Sequence, residues 1–341
     1  MKNKIIILII ILLQIFFISK VISEEIEFKA TDIEIINDQS LTIANNGSAL
    51  IKDDELIVEG KKMKYFRNES LLIIDKGKIS SLDQNFEINS NLIEYKINKS
   101  ELNFSEKVKI IDKSNNLLIN TDKIKYDVKN QLIISQSKSE IKDKLGNIYQ
   151  VRNFNYSLKD KIIKLNNLNV LDPDNNTFVV DIAFLDLKTN ELTAKDIGIN
   201  FKISKESENE PRLKGRSLTN NEKETVVKKG TFTFCKKREK CPPWEMGAEE
   251  IVHDKEKKII KYKNANLKIY DKKVFYFPKF FHPDPTVKRQ TGFLIPKLSD
   301  NSTTGFSLNL PYFLVLAENK DITINPRIFL DNKLLIQSEL R

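Results

Sequence analysis

Few residues in this chain could form a catalytic or metal-binding site. The sequence contains two cysteines, Cys235 and Cys241, and two histidines, His253 and His282. The cysteines are close in sequence and could pair with each other in an oxidising compartment, where a disulfide would close a small local loop. A metal site would need more ligands than two cysteines and two distant histidines supply. The sequence therefore predicts no metal site and no cofactor.

The common motifs of catalysis are also missing. The sequence has no glycine-rich phosphate loop, no His-Glu-x-x-His zinc motif and no Gly-x-Ser-x-Gly nucleophile turn. His253 lies in a segment with a strand pattern, and His282 belongs to the turn-forming sequence His282-Pro283-Asp284-Pro285. Aspartate and glutamate are so abundant that a glycosidase-like carboxylate pair carries no information. We predict that the chain is not an enzyme.

The composition is that of a folded protein without a nucleic-acid partner. Of the 341 residues, 30% are charged and 40% are hydrophobic, which is typical of globular domains, and the length allows two of them. The formal net charge is +9, but the lysines are spread evenly among acidic residues and form no basic cluster. The positive charge therefore gives no reason to expect nucleic-acid binding.

Residues 1–23 have the pattern of a secretory signal peptide. Lys2 and Lys4 precede an apolar run from Ile5 to Ile18, and cleavage is expected after Ser23. An uncleaved membrane anchor is the alternative, but the run is shorter than the about 20 residues that span a bilayer comfortably. We expect the mature chain to be exported to an oxidising compartment.

A three-residue phrase recurs through the first half of the chain. Its third residue is tyrosine in four copies and aspartate in the fifth, and these third positions are 30, 31, 30 and 30 residues apart. A polar turn and a second apolar segment follow each phrase, so each repeat is predicted to be strand, turn, strand. The copies are Met63-Lys64-Tyr65, Ile93-Glu94-Tyr95, Ile124-Lys125-Tyr126, Phe154-Asn155-Tyr156 and Phe184-Leu185-Asp186. A further copy, Ile251-Val252-His253, lies beyond the polar stretch Glu206 to Glu224, which we expect to form a loop.

The spacing of apolar residues predicts an all-β protein. Isoleucine, valine, phenylalanine, tyrosine and threonine alternate with polar residues, and helical periodicity is absent after the signal. Hairpins of this kind cannot bury an apolar face alone, so they must stack or curl around a common interior. A solenoid and an open jelly roll satisfy this requirement equally well.

Five sequence elements follow the repeats in a fixed order over about 80 residues. Each alone is a weak signal. They are Phe232-Thr233-Phe234-Cys235, Trp244, Tyr276-Phe277-Pro278, Arg289-Gln290-Thr291-Gly292-Phe293-Leu294-Ile295-Pro296 and Pro311-Tyr312-Phe313-Leu314. In this order they resemble the junction between the periplasmic domain and the outer-membrane barrel in the LptD family of lipopolysaccharide-assembly proteins, also called OstA or Imp.

The resemblance implies two kinds of β-domain after the signal peptide at 1–23. It implies a periplasmic OstA-like β-jellyroll of repeated hairpins at 24–230, a junction hairpin and linker at 231–291, and the first strands of an outer-membrane β-barrel at 292–341. The 50 residues from Gly292 hold two or three strands, whereas closed membrane barrels have at least eight. We therefore expect this sequence to stop early in the barrel.

The jellyroll of the family holds an apolar channel between two sheets. A slot lined by alternate strand residues would shield acyl chains from water, at about 25 cal/mol per Å² of apolar area. Each candidate lining residue could equally belong to an ordinary sandwich core. The candidates are Ile73, Ile93, Phe104, Ile110, Ile134, Phe154, Ile163 and Val179.

Pro311 and Pro326 are 15 residues apart, one in each of the first two predicted barrel strands. A proline removes a ladder N–H and is normally confined to edges or bulges. The resemblance implies that both prolines loosen the closing strands of the barrel as a lateral gate. Ordinary edge-strand prolines are the alternative.

The resemblance implies lipopolysaccharide transport and assembly at the cell outer membrane, with the N-terminal domain in the periplasm. An LptA-like bridge protein would deliver lipopolysaccharide by adding a strand to the edge formed by residues 26–58, and an LptE-like lipoprotein would plug the barrel. A soluble periplasmic lipid-binding bridge module of LptA type is the alternative. A surface β-solenoid that binds sugar or protein is a third possibility, against which the ordered junction elements count.

Overall fold

The structure is a computed structural model that describes residues 26–36, 38–173, 175–202, 211–235, 242–287, 289–294, 297–301, 305–330 and 333–341. The predicted signal peptide, residues 1–23, and Cys241 lie outside the described residues. The described chain forms β-strands joined by turns and two single-turn 3-10 helices, Arg67–Glu69 and Ile97–Lys99, which confirms the all-β prediction. No helix in this part of the chain is long and apolar enough to cross a bilayer.

The chain divides into two compact units between Ile197 and Gly198. The first unit contains β1 (Ile26–Ile36), β2 (Leu41–Ile51), β3 (Leu56–Phe66), β4 (Leu71–Ser81), β5 (Phe86–Lys96), β6 (Glu101–Asp112), β7 (Leu117–Asp127), β8 (Leu132–Ser135), β9 (Ser139–Lys142), β10 (Ile148–Val151), β11 (Asn153–Ser157), β12 (Ile162–Leu171) and β13 (Thr177–Asp186). Strand β14 (Glu191–Asn200) crosses the division.

The second unit contains β15 (Arg212–Asn220), β16 (Glu224–Thr233), β17 (Trp244–Asp254), β18 (Ile259–Ile269), β19 (Lys272–Pro283), β20 (Gly292–Phe293), β21 (Lys297–Asn301), β22 (Gly305–Asn309), β23 (Tyr312–Ala317), β24 (Lys320–Phe329) and β25 (Leu334–Leu340). The predicted boundary at residue 230 falls inside β16. The division into compact units does not test the predicted bounds, so 24–230, 231–291 and 292–341 stay a prediction.

Neighbouring strands of the first unit pair antiparallel in chain order. Strands β1 to β7 form one continuous meander. Strands β8 and β9 both pair with β7 and are the two halves of one interrupted strand, while β10 and β11 are the two halves opposite β12. Each repeat phrase lies at the end of a strand, and the next strand begins after a short turn. The strand, turn, strand interpretation of the repeat is confirmed.

The long strands are distorted near their midpoints. Asn46, Lys76, Glu106, Lys107 and Asn167 adopt left-handed backbone conformations in the middle of β2, β4, β6 and β12. The pairing of β5 with β6, and of β6 with β7, shifts register at the same level. Such bulges bend a strand and increase its twist. The sheet therefore bends along a line that runs across the middle of its strands.

Buried hydroxyl groups replace the ladder hydrogen bonds that are lost at this bend. The Ser90 hydroxyl donates to the Ser105 carbonyl at 2.5 Å. Ser139 Oγ donates to Thr121 Oγ1 at 2.9 Å, and Thr121 Oγ1 lies 3.1 Å from Ser135 Oγ. Because a buried backbone or hydroxyl group without a partner is costly, these short polar side chains make the bend tolerable.

In the second unit, β15 to β19 form a second antiparallel meander. The expectation of a loop from Glu206 to Glu224 is wrong for its described part, because residues 212–220 form β15 and pair with β16. Leu213 and Leu218 are buried while Lys214 and Arg216 between them are exposed, so the strand has a polar composition.

A separate sheet, called here the terminal sheet, comprises β20 to β25. Strands β22 and β23 pair with the two halves of one edge of the long β24, and β25 pairs with its other edge. Strands β21 and β20 pair in turn with β22 and β23.

Candidate functional site

The first unit has an interior lined almost entirely by apolar side chains. On each side of the bend, buried residues alternate with more exposed ones along the strand, as predicted, and the alternation shifts by one residue at the bend itself. Five of the eight predicted lining residues point into this interior, and each is no more than 1% exposed. These five are Ile93, Phe104, Ile110, Phe154 and Ile163.

The other three predicted lining residues, Ile73, Ile134 and Val179, lie on the outer face. Ile73 stands between Lys64 and Glu94 of the neighbouring strands, and Val179 is 50% exposed. The residues that point inward at these positions are one place away: Ile74, Ile133 and Val180. Because successive side chains of a strand point to opposite faces, an error of one residue moves the side chain from the interior to the surface.

The two ends of the strands meet in space, which closes the interior. We call the turns that follow the repeat phrases the first edge, and the turns at the opposite strand ends the second edge. Tyr95 lies at the first edge and donates its hydroxyl hydrogen bond to Asp54, in the second-edge turn between β2 and β3. Tyr156, also at the first edge, donates to Asp112 at the second edge, with an oxygen-to-oxygen distance of 2.5 Å. The line along which the two edges meet is called the seam.

Two ring contacts alternate with these hydrogen bonds along the seam. The Tyr65 ring at the first edge packs against Phe28 near the start of β1, with centroids 6.3 Å apart. The Tyr126 ring packs against Phe86 at the start of β5, at 6.2 Å. The tyrosine in the third position of each of the first four repeat phrases therefore reaches the second edge.

Burial raises the pKa of three seam tyrosines, Tyr95, Tyr126 and Tyr156. Burial raises the pKa of Tyr126 to about 12. Burial, followed by the hydrogen bond to a carboxylate, raises the pKa of Tyr95 and of Tyr156 well above the usual value. The hydroxyls of Tyr95 and Tyr156 therefore remain hydrogen-bond donors at any physiological pH.

The fifth repeat phrase is different at its third position. Asp186 accepts hydrogen bonds from the backbone N–H groups of Lys188 and Thr189 in its own turn, at 2.8 and 3.3 Å. A short carboxylate that caps its own turn cannot also reach across the interior. The tyrosine seam therefore ends with the fourth phrase.

The second unit brings both histidines of the chain to one end of its meander. His253 Nε2 lies 2.5 Å from the Asp284 carboxylate, and its ring packs on Phe201 at 5.7 Å. His282 Nδ1 lies 2.6 Å from the Pro283 carbonyl, which can only accept, so this nitrogen carries the proton. Its Nε2 then accepts from the Tyr262 hydroxyl at 2.7 Å. His282 is in β19 and precedes the turn, which corrects the expectation that it belongs to the turn itself.

The pKa values in this cluster favour an uncharged His282 and a charged Asp284. Burial lowers the pKa of His282 below its usual value. Burial alone would raise the pKa of Asp284, but hydrogen bonds from His253 and Thr286 outweigh burial and lower it to about 2. His253, Asp284, His282 and Tyr262 therefore form a group of hydrogen-bonded polar side chains among aromatic rings, called here the anchor of the second unit. No nucleophile is positioned beside His253 or His282 among their hydrogen-bond partners in the described chain.

An aromatic cavity of about 250 Å³ lies next to His282. Its walls are Phe232, Phe234, Trp244, Met246, Phe280 and His282. Ligand pockets for small molecules are usually larger, about 300–1,000 Å³. Residues 211–235 and 242–287, like the other described ranges, contain no cluster of three His, Cys, Asp or Glu side chains arranged for a metal ion.

The predicted disulfide cannot be followed through the structure because Cys241 lies outside the described residues. Cys235 is half-buried just after β16, where the Arg212 guanidinium donates to its carbonyl at 2.7 Å. The pairing of Cys235 with Cys241 stays a prediction.

The terminal sheet has one apolar face and one mixed face, called here the polar face, on which polar residues stand opposite apolar ones. Apolar residues stand opposite one another in the pairs Leu308 with Ile328, Tyr312 with Ile324, and Leu314 with Ile322. Several apolar side chains of this face are well exposed: Leu298, Phe306, Ile328, Leu334, Ile336 and Leu340. The opposite face carries the buried residues Ser307, Asp321 and Thr323, and Arg289 forms an ion pair with Asp321 there.

Each predicted gate proline removes one ladder hydrogen bond from the terminal sheet. The Pro326 carbonyl accepts from Leu310 N–H at 3.0 Å, but proline has no N–H to return the bond to Leu310. In the same way, the Pro311 carbonyl accepts from Leu294 N–H at 2.8 Å without a reciprocal bond. Pro326 lies within β24, whereas Pro311 lies in the break between β22 and β23 and outside both strands. The proline that cannot pair is the physical reason for that break.

Comparison with known proteins supports the resemblance found in the sequence. Segments of the chain are similar to "LPS-assembly protein LptD" of Yersinia pestis, with 36% identity over 124 residues, of Sodalis glossinidius, with 38% over 117, and of Pseudomonas putida, with 32% over 177. These segments cover 36%, 34% and 51% of the chain but only 16%, 15% and 18% of the relatives. The chain thus matches less than a fifth of the length of these curated relatives. No protein-family model matches it.

Proposed function

We propose that this chain acts in lipopolysaccharide assembly at the outer membrane. The first unit would hold the acyl chains of lipopolysaccharide in its apolar interior, and the terminal sheet would belong to the membrane. The observation that carries the proposal is the long interior lined by alternate apolar residues, in a chain whose segments are similar to proteins named for lipopolysaccharide assembly. Lipopolysaccharide fits both observations, because its acyl chains suit an apolar interior and the similar proteins are named for its assembly.

The chemistry of the interior suits acyl chains. Ile93, Phe104, Ile110, Phe154 and Ile163 offer the chains a mainly apolar environment, in which the buried polar groups such as Ser90 and Asp112 are hydrogen-bonded. Each methylene group moved from water into such an environment gains about 0.8 kcal/mol. A saturated chain would therefore prefer the interior to the aqueous space between two membranes by many kcal/mol.

The first strand is a suitable place for a delivering partner. Strand β1 has β2 as its one paired neighbour among the described residues, and Ile33, Ile35 and Ile36 are exposed on it. An exposed strand edge binds an extended segment through backbone hydrogen bonds. We propose that an LptA-like bridge protein adds its strand here, in the periplasm, so that the two apolar interiors become continuous.

The terminal sheet has the distribution of side chains expected at a membrane. Its apolar face would contact lipid, and its polar face, with Asp321 and Arg289, would face a lumen that an LptE-like lipoprotein could fill. Pro311 and Pro326 each weaken one strand pair. We propose that this weakness lets strands separate as a lateral gate, through which acyl chains reach the bilayer.

Photocrosslinking tests the proposed cargo. A benzophenone amino acid would be placed at Phe104 or Phe154 in the interior, and at Val179 on the outer face as the matched control. We expect ultraviolet-dependent adducts with lipopolysaccharide at the two interior positions and none at Val179. Equal labelling at all three positions, or no labelling at Phe104 and Phe154, would reject lipopolysaccharide as interior cargo.

A second candidate function is a soluble periplasmic lipid-binding module of LptA type. The observation in its favour is that the first unit is compact by itself and that the two described Tyr–Asp hydrogen bonds across its seam join residues of this unit. Cell fractionation separates the two functions. Recovery with outer membranes supports the assembly role, and recovery of the native protein in the soluble periplasmic fraction supports the bridge module.

A further inference from the structure

We propose that the seam of the first unit is a lateral entrance, and that the Tyr95–Asp54 and Tyr156–Asp112 hydrogen bonds are the clasps that hold it shut. Separation of the two edges would open the interior along its length, so that acyl chains enter from the side. This inference rests on the proposed function and assigns residues to one of its steps.

The interior as described must open before it can accept a chain. Ile93, Ile110 and Ile163 have no exposed surface, and the same holds for many of their neighbours on this face. Close-packed interiors of this kind leave no channel for a ligand of acyl-chain width. An opening movement is therefore part of any binding event.

The seam is the weakest boundary of the first unit. Elsewhere neighbouring strands are joined by backbone ladders on both sides of the bend, for example from Leu56 opposite Ser81 to Phe66 opposite Leu71. Across the seam, the described contacts between the edges are side-chain contacts: the two Tyr–Asp hydrogen bonds, a hydrogen bond from Asn115 Nδ2 to the Tyr156 hydroxyl at 3.4 Å, and two ring pairs. Separation at the seam breaks these contacts and unpacks apolar side chains, but it leaves every ladder intact.

The position of the bend favours the same movement. The strands bend near Asn46, Lys76, Asn167 and the Glu106–Lys107 bulge, halfway between the two edges. A small change of angle at this line moves the distant edges apart, as a hinge does. The two carboxylates, Asp54 and Asp112, would then be left at the rim, where water can solvate them.

The chain provides a matched control for the clasps. Tyr149 is buried like the clasp tyrosines and donates to Asp143 at 2.6 Å. Tyr149 and Asp143 both lie at the second edge, only six residues apart, so this bond does not cross the seam. Loss of a hydroxyl at Tyr149 thus removes a similar bond without loosening the entrance.

The experiment compares the full chain with the double variant Tyr95→Phe/Tyr156→Phe and with Tyr149→Phe. Phenylalanine keeps the buried ring, and circular dichroism checks the fold. Stopped-flow fluorescence measures how fast N-phenylnaphthylamine, an apolar dye, enters the interior. Purified lipopolysaccharide is then added as a competitor, and the rate at which it displaces the dye is measured in the same way. We expect about tenfold faster dye uptake in the double variant, because each lost hydrogen bond favours the open state severalfold. Tyr149→Phe should stay within about twofold of the unaltered chain.

Hydrogen exchange without any lipid separates failure of this inference from failure of the proposed function. In the double variant, amides in the turns at residues 52–55 and 113–116 should exchange faster than in Tyr149→Phe. Equal exchange and equal uptake in the double variant and the control would overturn the entrance. Faster exchange at the seam, with no uptake of dye or lipopolysaccharide by any form, would support the clasps and overturn the proposed cargo.

Discussion

The first unit and the terminal sheet use the same alternation of apolar and polar residues with opposite results. In the first unit the apolar face is buried, with residues such as Ile93 and Phe104 shielded from water. In the terminal sheet the apolar face is the more exposed one along β22 and β24: Phe306 is 39% and Ile328 is 46% exposed, whereas Ser307 and Thr323 on the opposite face are 3% and 7% exposed. Alternation therefore fixes which residues share a face, but the surroundings decide which face is turned inward.

The difference has a clear physical meaning. An apolar face of several strands left in water is unfavourable, and soluble proteins rarely expose a large one. The polar face of the terminal sheet is the one with buried residues, among them Asp321 and Thr323. This inversion is typical of a sheet whose outer solvent is lipid.

The largest expected effect comes from emptying the interior of the first unit. Phe104→Ala should lower the free energy of unfolding by about 3–5 kcal/mol, because it removes a fully buried ring and leaves a cavity. Val179→Ala, on the outer face, should change it by no more than about 0.5 kcal/mol. Urea unfolding of the full chain followed by far-ultraviolet circular dichroism measures both. A similar loss in the two variants would mean that the two faces are not distinguished as described.

A charge on the apolar face of the terminal sheet should affect insertion into lipid and have little effect on the free energy of unfolding in water. Ile336→Arg should leave unfolding in water nearly unchanged but weaken insertion into phospholipid vesicles by about 2–4 kcal/mol if residue 336 is near the bilayer midplane. Gln337→Arg is the matched control, since Gln337 is equally exposed and points to the other face. Vesicle flotation measures the inserted fraction. If both variants float equally well, the apolar face is not in contact with lipid.

The anchor of the second unit should make its stability sensitive to acid. The pKa of Asp284 is about 2 in the folded chain and has an ordinary value near 3.8 when unfolded. The depressed value means that Asp284 stabilises the fold above about pH 4 and that this contribution is lost as the pH falls toward 2. After allowance for solvent screening, the loss should be about 1–2 kcal/mol.

Unfolding monitored by Trp244 reports on this acid effect, since Trp244 is the single tryptophan of the chain and lies in β17. Asp284→Asn should flatten the pH dependence between pH 4 and pH 2. Asp300→Asn, at an exposed carboxylate of the terminal sheet, should not. An unchanged acid profile in Asp284→Asn would assign the sensitivity to another group.

The sequence was sufficient to predict the strands, but adjacent apolar residues left the face of a side chain undecided. Phe104 has polar neighbours on both sides and is buried, and Ile93 is buried although it directly follows Leu92. Ile73, Ile134 and Val179 lie in the runs Leu71-Leu72-Ile73-Ile74, Leu132-Ile133-Ile134 and Val179-Val180, which have no alternation to follow. In such runs only the register with neighbouring strands decides which residue is inside.

The seam could be recognised only in part from the sequence. The tyrosine that recurs in the first four repeat phrases was visible, and a large polar ring at a fixed repeat position indicates a shared role. Its partners were not visible, because Asp54 and Asp112 are 41 and 44 residues away and are two of many turn aspartates. The contacts between the first and second edges depend on how strongly the sheet bends. No local sequence signal determines the angle of this bend.

The smallest expected effect concerns the strand pairs that the prolines weaken. Pro326→Ala would supply the missing N–H opposite Leu310, and a ladder hydrogen bond contributes about 0.5–1.5 kcal/mol. Loss of the rigid ring makes the unfolded chain more flexible and offsets about 0.4–1 kcal/mol of this gain, so global stability should change little. The local effect should be clearer: exchange of the Leu310 amide in vesicle-bound protein should slow severalfold.

Pro311→Ala is the reciprocal control, because Pro311 leaves its unreturned bond at Leu294 and not at Leu310. This variant should slow exchange at Leu294 and leave Leu310 nearly unchanged. If each substitution protects its own strand pair, the prolines are local weak points and the terminal sheet can part at two adjacent boundaries. If both substitutions slow the whole sheet equally, the prolines act on overall flexibility, and a gate between particular strands loses its physical basis. The described strands of the first unit contain no proline between Ile26 and Leu171, so no ladder hydrogen bond is lost to a proline there, and the proposed opening is at the seam instead.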